Sequence, residues 1–273
     1  MFDKRTVLFV TAGILGLLGG NSFADIYQIW DTYGGTWADA DKTGLDDTQL
    51  CWAAASSNIL EYTRWGRVGG MTTTDDMFGH FKAHWNDQVG NPYYALDWWW
   101  DGTNDNQGDT TWAQVDVPGG GGFYPTLNID DCRRWVSESS TALSALDAWL
   151  HDGYASAIAV SGNMGHSVTA WGFAYDSTDP DYYTGIYVTD SDDSVNALQY
   201  YDLVHTGSRW YLSGGYFGDG STNYISEVCG LELNPVPVPG AVALGMLGLS
   251  VAGLKLRQHV KLETSHSRSD VSR

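Results

Sequence analysis

The chain has 273 residues, of which 14% are aromatic and 17% charged, and its 33 acidic and 14 basic residues give a formal net charge of −19. The phosphates of nucleic acids and anionic lipid surfaces repel such an acidic protein, which argues against both as electrostatic partners. The length and aromatic content are sufficient for the packed core of one large or two small domains.

The first 24 residues have the layout of a secretory signal peptide. Lys4 and Arg5 precede an apolar run at residues 7–18, and residues 22–24 form a small-x-small cleavage site. We therefore expect an exported protein whose mature chain begins near Asp25.

Three cysteines are an odd number for a protein in a compartment where disulfides persist. The simplest assignment pairs Cys132 with Cys229 in a disulfide and leaves Cys51 free. A free thiol in an oxidising compartment is a liability unless it has a function, and this favours a functional role for Cys51.

Residues 25–45 are rich in Gly, Asp and Trp without a clear period, and we predict an irregular lead-in. A first helix follows, because small and apolar residues recur at near-helical spacing from Cys51 to Tyr62, with Thr48 placed to cap the free backbone N–H groups. Cys51 then lies in the first turn, where the helix dipole favours a nucleophilic thiolate. The alternative is a buried cysteine that packs as a small hydrophobic residue.

A second predicted helix carries Met77, Phe78, Phe81 and Trp85 on one face, and a third ends before Gly153. His80 and His84 on the second helix have a spacing that can bind metal, but no Cys or carboxylate accompanies them, and we interpret them as structural. Between these helices, residues 91–122 are predicted to be a long loop region with aromatic anchors.

Beyond Gly153 the apolar residues alternate with polar ones, which is typical of β-strands. We predict six strands, at residues 155–160, 166–175, 185–189, 198–204, 210–217 and 224–233. Helices followed by a meander of strands predict an α+β domain with an antiparallel sheet, extending over residues 25–233.

Residues 234–273 differ in composition from the domain before them. A Pro-rich linker leads into the uncharged segment 241–254, which Lys255, Arg257 and Lys261 follow before a polar tail. This order resembles the PEP-CTERM and VPxPA-like sorting tails of exported bacterial proteins. We expect membrane or envelope contact through residues 236–257, and hence a secreted or envelope-associated protein; a core helix is the alternative.

A cysteine nucleophile requires a base and a group that orients the base. His166 is the best candidate for the base, because it begins an alternating strand and its imidazole can face a cleft. Asp190 follows the next predicted strand, one hairpin away, and Asp192 shares its face by the two-residue period. The acidic run 190–193 lacks the Gly and distal Glu of a calcium loop, so calcium is the less favoured interpretation and we expect no cofactor or metal.

Three stretches, residues 46–58, 166–176 and 186–192, together resemble the secreted Ide/Mac family of papain-like cysteine endopeptidases, known for cleaving immunoglobulin G. The resemblance implies a papain-like fold in which a helical N-terminal part places the nucleophile helix against an antiparallel β-sheet. It also implies the following site residues: Cys51 as nucleophile, His166 as histidine, Asp190 and Asp192 as aspartates, and Lys42 as oxyanion donor. Lys42 lies one residue nearer the cysteine than the family's lysine; without it, Gln49 or the Cys51 amide would supply the oxyanion donors.

The sequence thus predicts an exported cysteine endopeptidase that hydrolyses proteins or peptides through a Cys-His-Asp triad. Two other functions remain open. The same groups can catalyse transglutaminase-like or amidase-like acyl transfer, and a non-catalytic Trp-rich surface can bind a glycan or a protein.

Overall fold

The computed structural model describes residues 25–105, 108–176, 178–193 and 195–235. The predicted signal peptide (1–24) and the predicted membrane or envelope contact (236–257) lie outside these ranges. No helix in the described ranges has the length and hydrophobicity that a membrane span requires.

The α-helices in the described residues precede most of the strands. They are α1 (Ile29–Tyr33), α2 (Cys51–Thr63), α3 (Thr74–His84), α4 (Pro92–Asp101) and α5 (Ala142–His151). One strand precedes them, one lies among them and six follow them. The strands are β1 (Asp25–Gln28), β2 (Arg133–Val136), β3 (Tyr154–Ser161), β4 (His166–Asp176), β5 (Asp179–Thr189), β6 (Gln199–Thr206), β7 (Arg209–Ser213) and β8 (Asp219–Glu232).

The strands β3 to β8 form a closed antiparallel barrel. Each of them pairs antiparallel with the next one along the chain, and β8 pairs with β3 to complete the ring. Two further strands extend the sheet outside the ring, β1 on β4 and β2 on β8.

This barrel shows that the predicted fold class is wrong. We expected an α+β papain-like fold with the nucleophile helix packed on an antiparallel sheet, whereas the structure has a closed six-stranded barrel with two extra strands and few helices. Inward and outward side chains alternate along a strand in either arrangement, so the sequence pattern does not distinguish them. Closure depends on the pairing of β3 with β8, the two ends of the meander.

Local irregularities bend the barrel strands. The register shifts between Ala159 and Val160 where β3 pairs with β8, and between Ala170 and Gly172 where β4 pairs with β5. Such bulges increase the local twist and allow a sheet to curve towards closure. A Cβ at Gly172 would lie 2.1 Å from the Tyr27 carbonyl oxygen. Only glycine at this position therefore lets β1 pair with β4 without a steric clash.

At the level of single elements the sequence predictions are partly right. All six strands predicted after Gly153 are present, although β5 and β8 begin six and five residues earlier than predicted and β7 ends four residues earlier. The prediction of an irregular lead-in at residues 25–45 is wrong in part, because this segment contains β1 and α1. The prediction of a loop region at residues 91–122 is also wrong in part, because it contains α4. Asn91 caps α4 through a hydrogen bond from the Tyr93 amide, and Pro92 is at the first helical position, where it costs no hydrogen bond.

Tryptophans form much of the core between the helices. Trp98, Trp99 and Trp100 of α4 are each at most 1% exposed, and the Trp98 ring packs on Phe81 of α3 at 5.4 Å. Trp52 of α2 packs edge-on to the same Phe81 at 6.0 Å. The three consecutive tryptophans of α4 therefore belong to the core and do not form a surface that could bind a glycan or a protein.

Candidate active site

Cys51 is the first residue of α2 and is half-buried. The predicted cap at Thr48 is wrong: Leu50 is the N-cap and no side chain caps this helix. Asp87 instead fixes the preceding turn, because its carboxylate accepts hydrogen bonds from the amides of Thr48 and Gln49 at 3.1 and 2.6 Å. Cys51 remains in the first turn, and the first amide of a helix has no partner inside the helix.

His166 and Asp190 lie at the same end of a strand pair. His166 begins β4 and Asp190 directly follows β5, and the antiparallel register pairs Thr169 with Thr189. Asp190 Oδ1 accepts a hydrogen bond from Nε2 of His166 at 2.7 Å, and both side chains are at most 2% exposed. The amide of Asp192 donates to the same oxygen at 3.0 Å, which orients the carboxylate.

The Cys51 side chain lies close enough to His166 to raise the pKa of the histidine. Because Nε2 faces Asp190, Nδ1 is the ring nitrogen left for the thiol. Burial alone would lower the pKa of His166, but the hydrogen bond to Asp190, the interaction with Cys51 and the charges of both groups raise it to about 10. The imidazolium form of His166 is therefore favoured.

Asp192 lies between His166 and Lys42. Its Oδ2 is 3.8 Å from Nδ1 of His166, and its other oxygen forms an ion pair with the Lys42 ammonium. Lys42 also donates from Nζ to the Thr48 carbonyl oxygen at 2.6 Å, and its own amide donates to the Ser191 carbonyl. The structure thus brings Lys42 to the residues that precede the nucleophile, although 9 residues separate it from Cys51 in the sequence.

All five predicted site residues are thereby connected by contacts: Cys51 to His166, His166 to Asp190 and Asp192, and Asp192 to Lys42. A shallow pocket of about 330 Å³ lies beside them. It is lined by Lys42, Thr43, Gly44, Thr48, Ser191, Asp192 and Tyr216. Tyr216 is half exposed, and its ring packs against His166 at 5.3 Å, so it forms part of the cleft wall.

Asn58, whose role the sequence did not reveal, holds α2 against the two strands of the site. Its Nδ2 donates to the hydroxyls of Thr169 on β4 and Thr189 on β5 at 2.9 and 3.3 Å. Trp171 Nε1 also donates to Thr189 at 2.9 Å. Asn58 lies two helical turns after Cys51, and this buried connection fixes the distance between the cysteine and the His166–Asp190 pair.

His166, Asp190 and Asp192 also form a cluster of side chains of the types that bind metal ions. One ligand atom from each residue lies within 4.8 Å of the others, which is close enough to hold a divalent ion. The Lys42 ammonium already pairs with Asp192, however, and Asp190 has a direct hydrogen bond with His166. These contacts give the cluster a complete set of ion pairs without a metal.

The expected disulfide between Cys132 and Cys229 is wrong, because all three cysteines are free. Cys229 pairs with Trp135 in the β2–β8 register, whereas the Cys132 carbonyl accepts from the Glu232 amide. The two cysteines are thus offset by three residues, roughly 10 Å along a strand, which is beyond the ~7 Å that a disulfide spans between Cα atoms. Burial raises the pKa of Cys132 to about 11 and that of Cys229 to about 12.

The two helical histidines make main-chain hydrogen bonds. Nε2 of His80 is 2.7 Å from the Gly120 carbonyl oxygen, and Nδ1 of His84 is 3.1 Å from that of Val117. Both rings thereby connect α3 to the glycine-rich segment that follows α4, in line with the structural role expected for them.

Comparison with known proteins assigns no family. No family model matches the chain, and no curated protein is significantly similar to it. Any function must therefore be inferred from the residues and their geometry.

Proposed function

We propose that the chain is an exported cysteine endopeptidase that hydrolyses peptide bonds of extracellular proteins. The observation that carries this proposal is the interaction of the half-buried Cys51 with His166, together with the buried hydrogen bond between His166 and Asp190. A nucleophile whose base is itself oriented by a carboxylate is the arrangement that acyl-transfer enzymes share across unrelated folds. The proposal does not depend on a papain-like fold. Export rests on the sequence of residues 1–24 alone.

In the first half of the reaction the Cys51 thiolate attacks the carbonyl carbon of a peptide bond and forms a C–S bond. The carbonyl oxygen takes the negative charge. His166 then gives its Nδ1 proton to the amide nitrogen, the C–N bond breaks, and the amine leaves a thioester on Cys51. In the second half a water molecule loses a proton to His166 and attacks the thioester, which releases the carboxylic acid and restores the thiolate.

The oxyanion requires donors that face the reacting carbon. The Cys51 amide is one, because it is the first N–H of α2. Lys42 is the second: an ammonium has three N–H donors, and the contacts with Thr48 and Asp192 use two of them. The role proposed for Asp192 is to hold Lys42 and the His166 side of the cleft together.

The test is hydrolysis of a fluorescently labelled unfolded protein by the full chain, compared with Cys51→Ala and His166→Ala. Both variants are expected to lose at least about a hundredfold in rate while they keep the melting temperature of a folded protein. Undiminished hydrolysis by Cys51→Ala would overturn the proposal. Product masses separate the alternatives, because hydrolysis adds one water per cut bond, whereas transfer to an amine releases ammonia and joins chains.

A further inference from the structure

A second pocket, of about 470 Å³, is larger than the one at the candidate active site and lies between the start of α4 and the strands β2 and β8. We refer to it as the aromatic pocket. Its described lining residues are Asn91, Tyr93, Tyr94, Asp105, Trp112, Trp135 and Glu227.

The segment that leads to Asn91 connects this pocket to the nucleophile helix. Asp87 accepts from the amides of Thr48 and Gln49, just before Cys51. The indole of Trp52 donates to the Gln88 carbonyl oxygen at 3.1 Å. Asn91 follows Asp87 by four residues, a span of at most ~14 Å.

Another lining residue, Glu227, lies on a strand that pairs with the neighbour of the histidine's strand. Glu227 of β8 pairs with Ala159 of β3, and the next residue of β3, Val160, pairs with His166. Asn91 and Glu227 thus continue from segments that contact those holding Cys51 and His166, and a substrate that extends along these segments can place a side chain in the pocket.

The ionisable groups of the aromatic pocket are acidic. Asp105 and Glu227 contribute carboxylates, and none of the described lining residues is basic. Glu227 Oε1 accepts from Asn91 Nδ2 at 2.5 Å and from Trp135 Nε1 at 2.7 Å, which orients the carboxylate and leaves Oε2 for a ligand.

The nearby cation Arg133 does not neutralise this pocket. Its side chain is 2% exposed and its guanidinium is paired with Asp97 and Asp130 at 2.6 and 2.7 Å. It lies over the Tyr93 ring at 3.6 Å, where it stiffens this wall.

Aromatic rings form the remaining surface of the pocket. Tyr93 packs on Trp135 at 5.0 Å and edge-on to Tyr94 at 5.4 Å. Trp135 is 46% exposed, which is unusual for a tryptophan in this protein. Ring faces attract cations through their quadrupole, and carboxylates in the same site add a Coulombic attraction.

We propose that the aromatic pocket binds a lysine or arginine side chain of the substrate, and so makes the enzyme selective for basic polypeptides. This inference rests on the proposed peptidase function. A neutral sugar would also stack on Trp135, but it gains little from two carboxylates or from the net charge of −19, which draws cationic chains towards the protein.

The test compares two random-peptide libraries in which one fixed position holds arginine or its neutral isostere citrulline. Mass spectrometry of the products gives the cleavage ratio, for which we expect at least roughly a tenfold preference for arginine. The preference should fall towards unity in the double variant Glu227→Gln with Asp105→Asn, in which glutamine keeps an acceptor for Asn91 and Trp135. The control Asp202→Asn removes an exposed carboxylate of β6 and should keep the preference.

Calorimetry with the Cys51→Ala chain separates failure of the pocket from failure of the peptidase. It uses the peptide Gly-Gly-Arg-Gly-Gly and its citrulline counterpart. If neither library is cut, the proposed function fails, and tighter binding of the arginine peptide than of the citrulline peptide still supports a cation pocket. Equal cleavage and equal binding of arginine and citrulline peptides overturn the inference. It is also overturned if a neutral oligosaccharide binds to the Cys51→Ala chain but not after the further substitution Trp135→Ala, while the arginine peptide does not bind.

Discussion

The carboxylate of Asp190 and the imidazole of His166 form a hydrogen bond of 2.7 Å in a place almost inaccessible to water. Because the contact is desolvated and includes charge, it stabilises the imidazolium more than an exposed pair would. Burial by itself would act in the opposite direction, yet the pKa of His166 rises to about 10. The proton that His166 gives to the leaving amine is therefore retained well into the alkaline range.

Replacement of Asp190 by asparagine should move the alkaline limb of the pH–rate profile to lower pH. The limb reports loss of the His166 proton, and the neutral amide removes one of the charges that raise the pKa of His166. A hydrogen bond to a charged group contributes ~1.5–3 kcal/mol, which corresponds to a shift of about one to two pH units. The measurement is kcat/KM against pH from 5 to 11. An unshifted limb in a folded Asp190→Asn protein would show that this carboxylate does not control His166.

Lys42→Met should lower kcat about a hundredfold with little change in KM. An oxyanion donor acts on the charge that develops in the transition state, so its loss falls on kcat. The matched control is Lys82→Met, because Lys82 also pairs with an aspartate, Asp47, but its contacts are with Asp47, Thr43 and Phe78 and not with the five proposed site residues. If Lys42→Met and Lys82→Met reduce kcat equally, Lys42 has only a structural role.

Cys51 should react with iodoacetamide far faster than the other two cysteines, and it should keep this reactivity at pH 6. An ordinary thiol, with a pKa of ~8.5, is almost entirely protonated at that pH, and burial raises the pKa of both Cys132 and Cys229 further. The rate at each cysteine is read from mass-mapped peptides of the native protein. In His166→Ala the low-pH reactivity of Cys51 should disappear; if it persists, the imidazolium is not what activates the thiol.

Asn58→Ala should both destabilise the protein and slow the low-pH alkylation of Cys51. The substitution removes a buried donor to Thr169 and Thr189, a loss of about 1–3 kcal/mol. Ser57→Ala is the control on the same helix, because among the described residues the Ser57 hydroxyl bonds only the Ala53 carbonyl one turn before it. Urea unfolding and the alkylation rate are measured together. An Asn58→Ala protein that is less stable but alkylated at the normal rate would limit Asn58 to a stabilising role.

Asn58 and His166 show which contacts of the candidate site can be predicted from the sequence and which cannot. His166 and Asp190 are one hairpin apart, and alternation along two strands was enough to place them together. Asn58 bonds residues 111 and 131 positions away, a separation over which no local pattern gives the register. The same limit applies to barrel closure between β3 and β8 and to the pairing expected for Cys132 and Cys229. In each case the deciding contact joins segments that only the complete fold brings together.

A second buried carboxylate gives a prediction about stability. Asp39 is 7% exposed, and its Oδ1 has no hydrogen-bond partner among the described residues, while Oδ2 accepts from the Ala197 amide at 3.3 Å. Burial, and then the neighbouring charges of Asp41 and Asp193, raise the pKa of Asp39 to about 8. The folded protein therefore binds a proton that the unfolded chain releases near pH 4.

The sign of the resulting pH dependence follows from proton linkage. Between about pH 4 and pH 8 the folded state binds more protons at Asp39 than the unfolded state, so this residue makes the free energy of unfolding fall as the pH rises. Above pH 8 the loss is complete and the contribution is constant. Asp39→Asn has no such proton and keeps an acceptor oxygen for Ala197, so its stability relative to the wild type should increase from pH 5 to pH 8 and then level off. Urea unfolding at pH 5, 7 and 9 measures this difference, with the exposed Asp116→Asn as a control for the change in net charge. If the two proteins lose stability in parallel over this range, Asp39 is not protonated in the folded state and its charge must be compensated by another group.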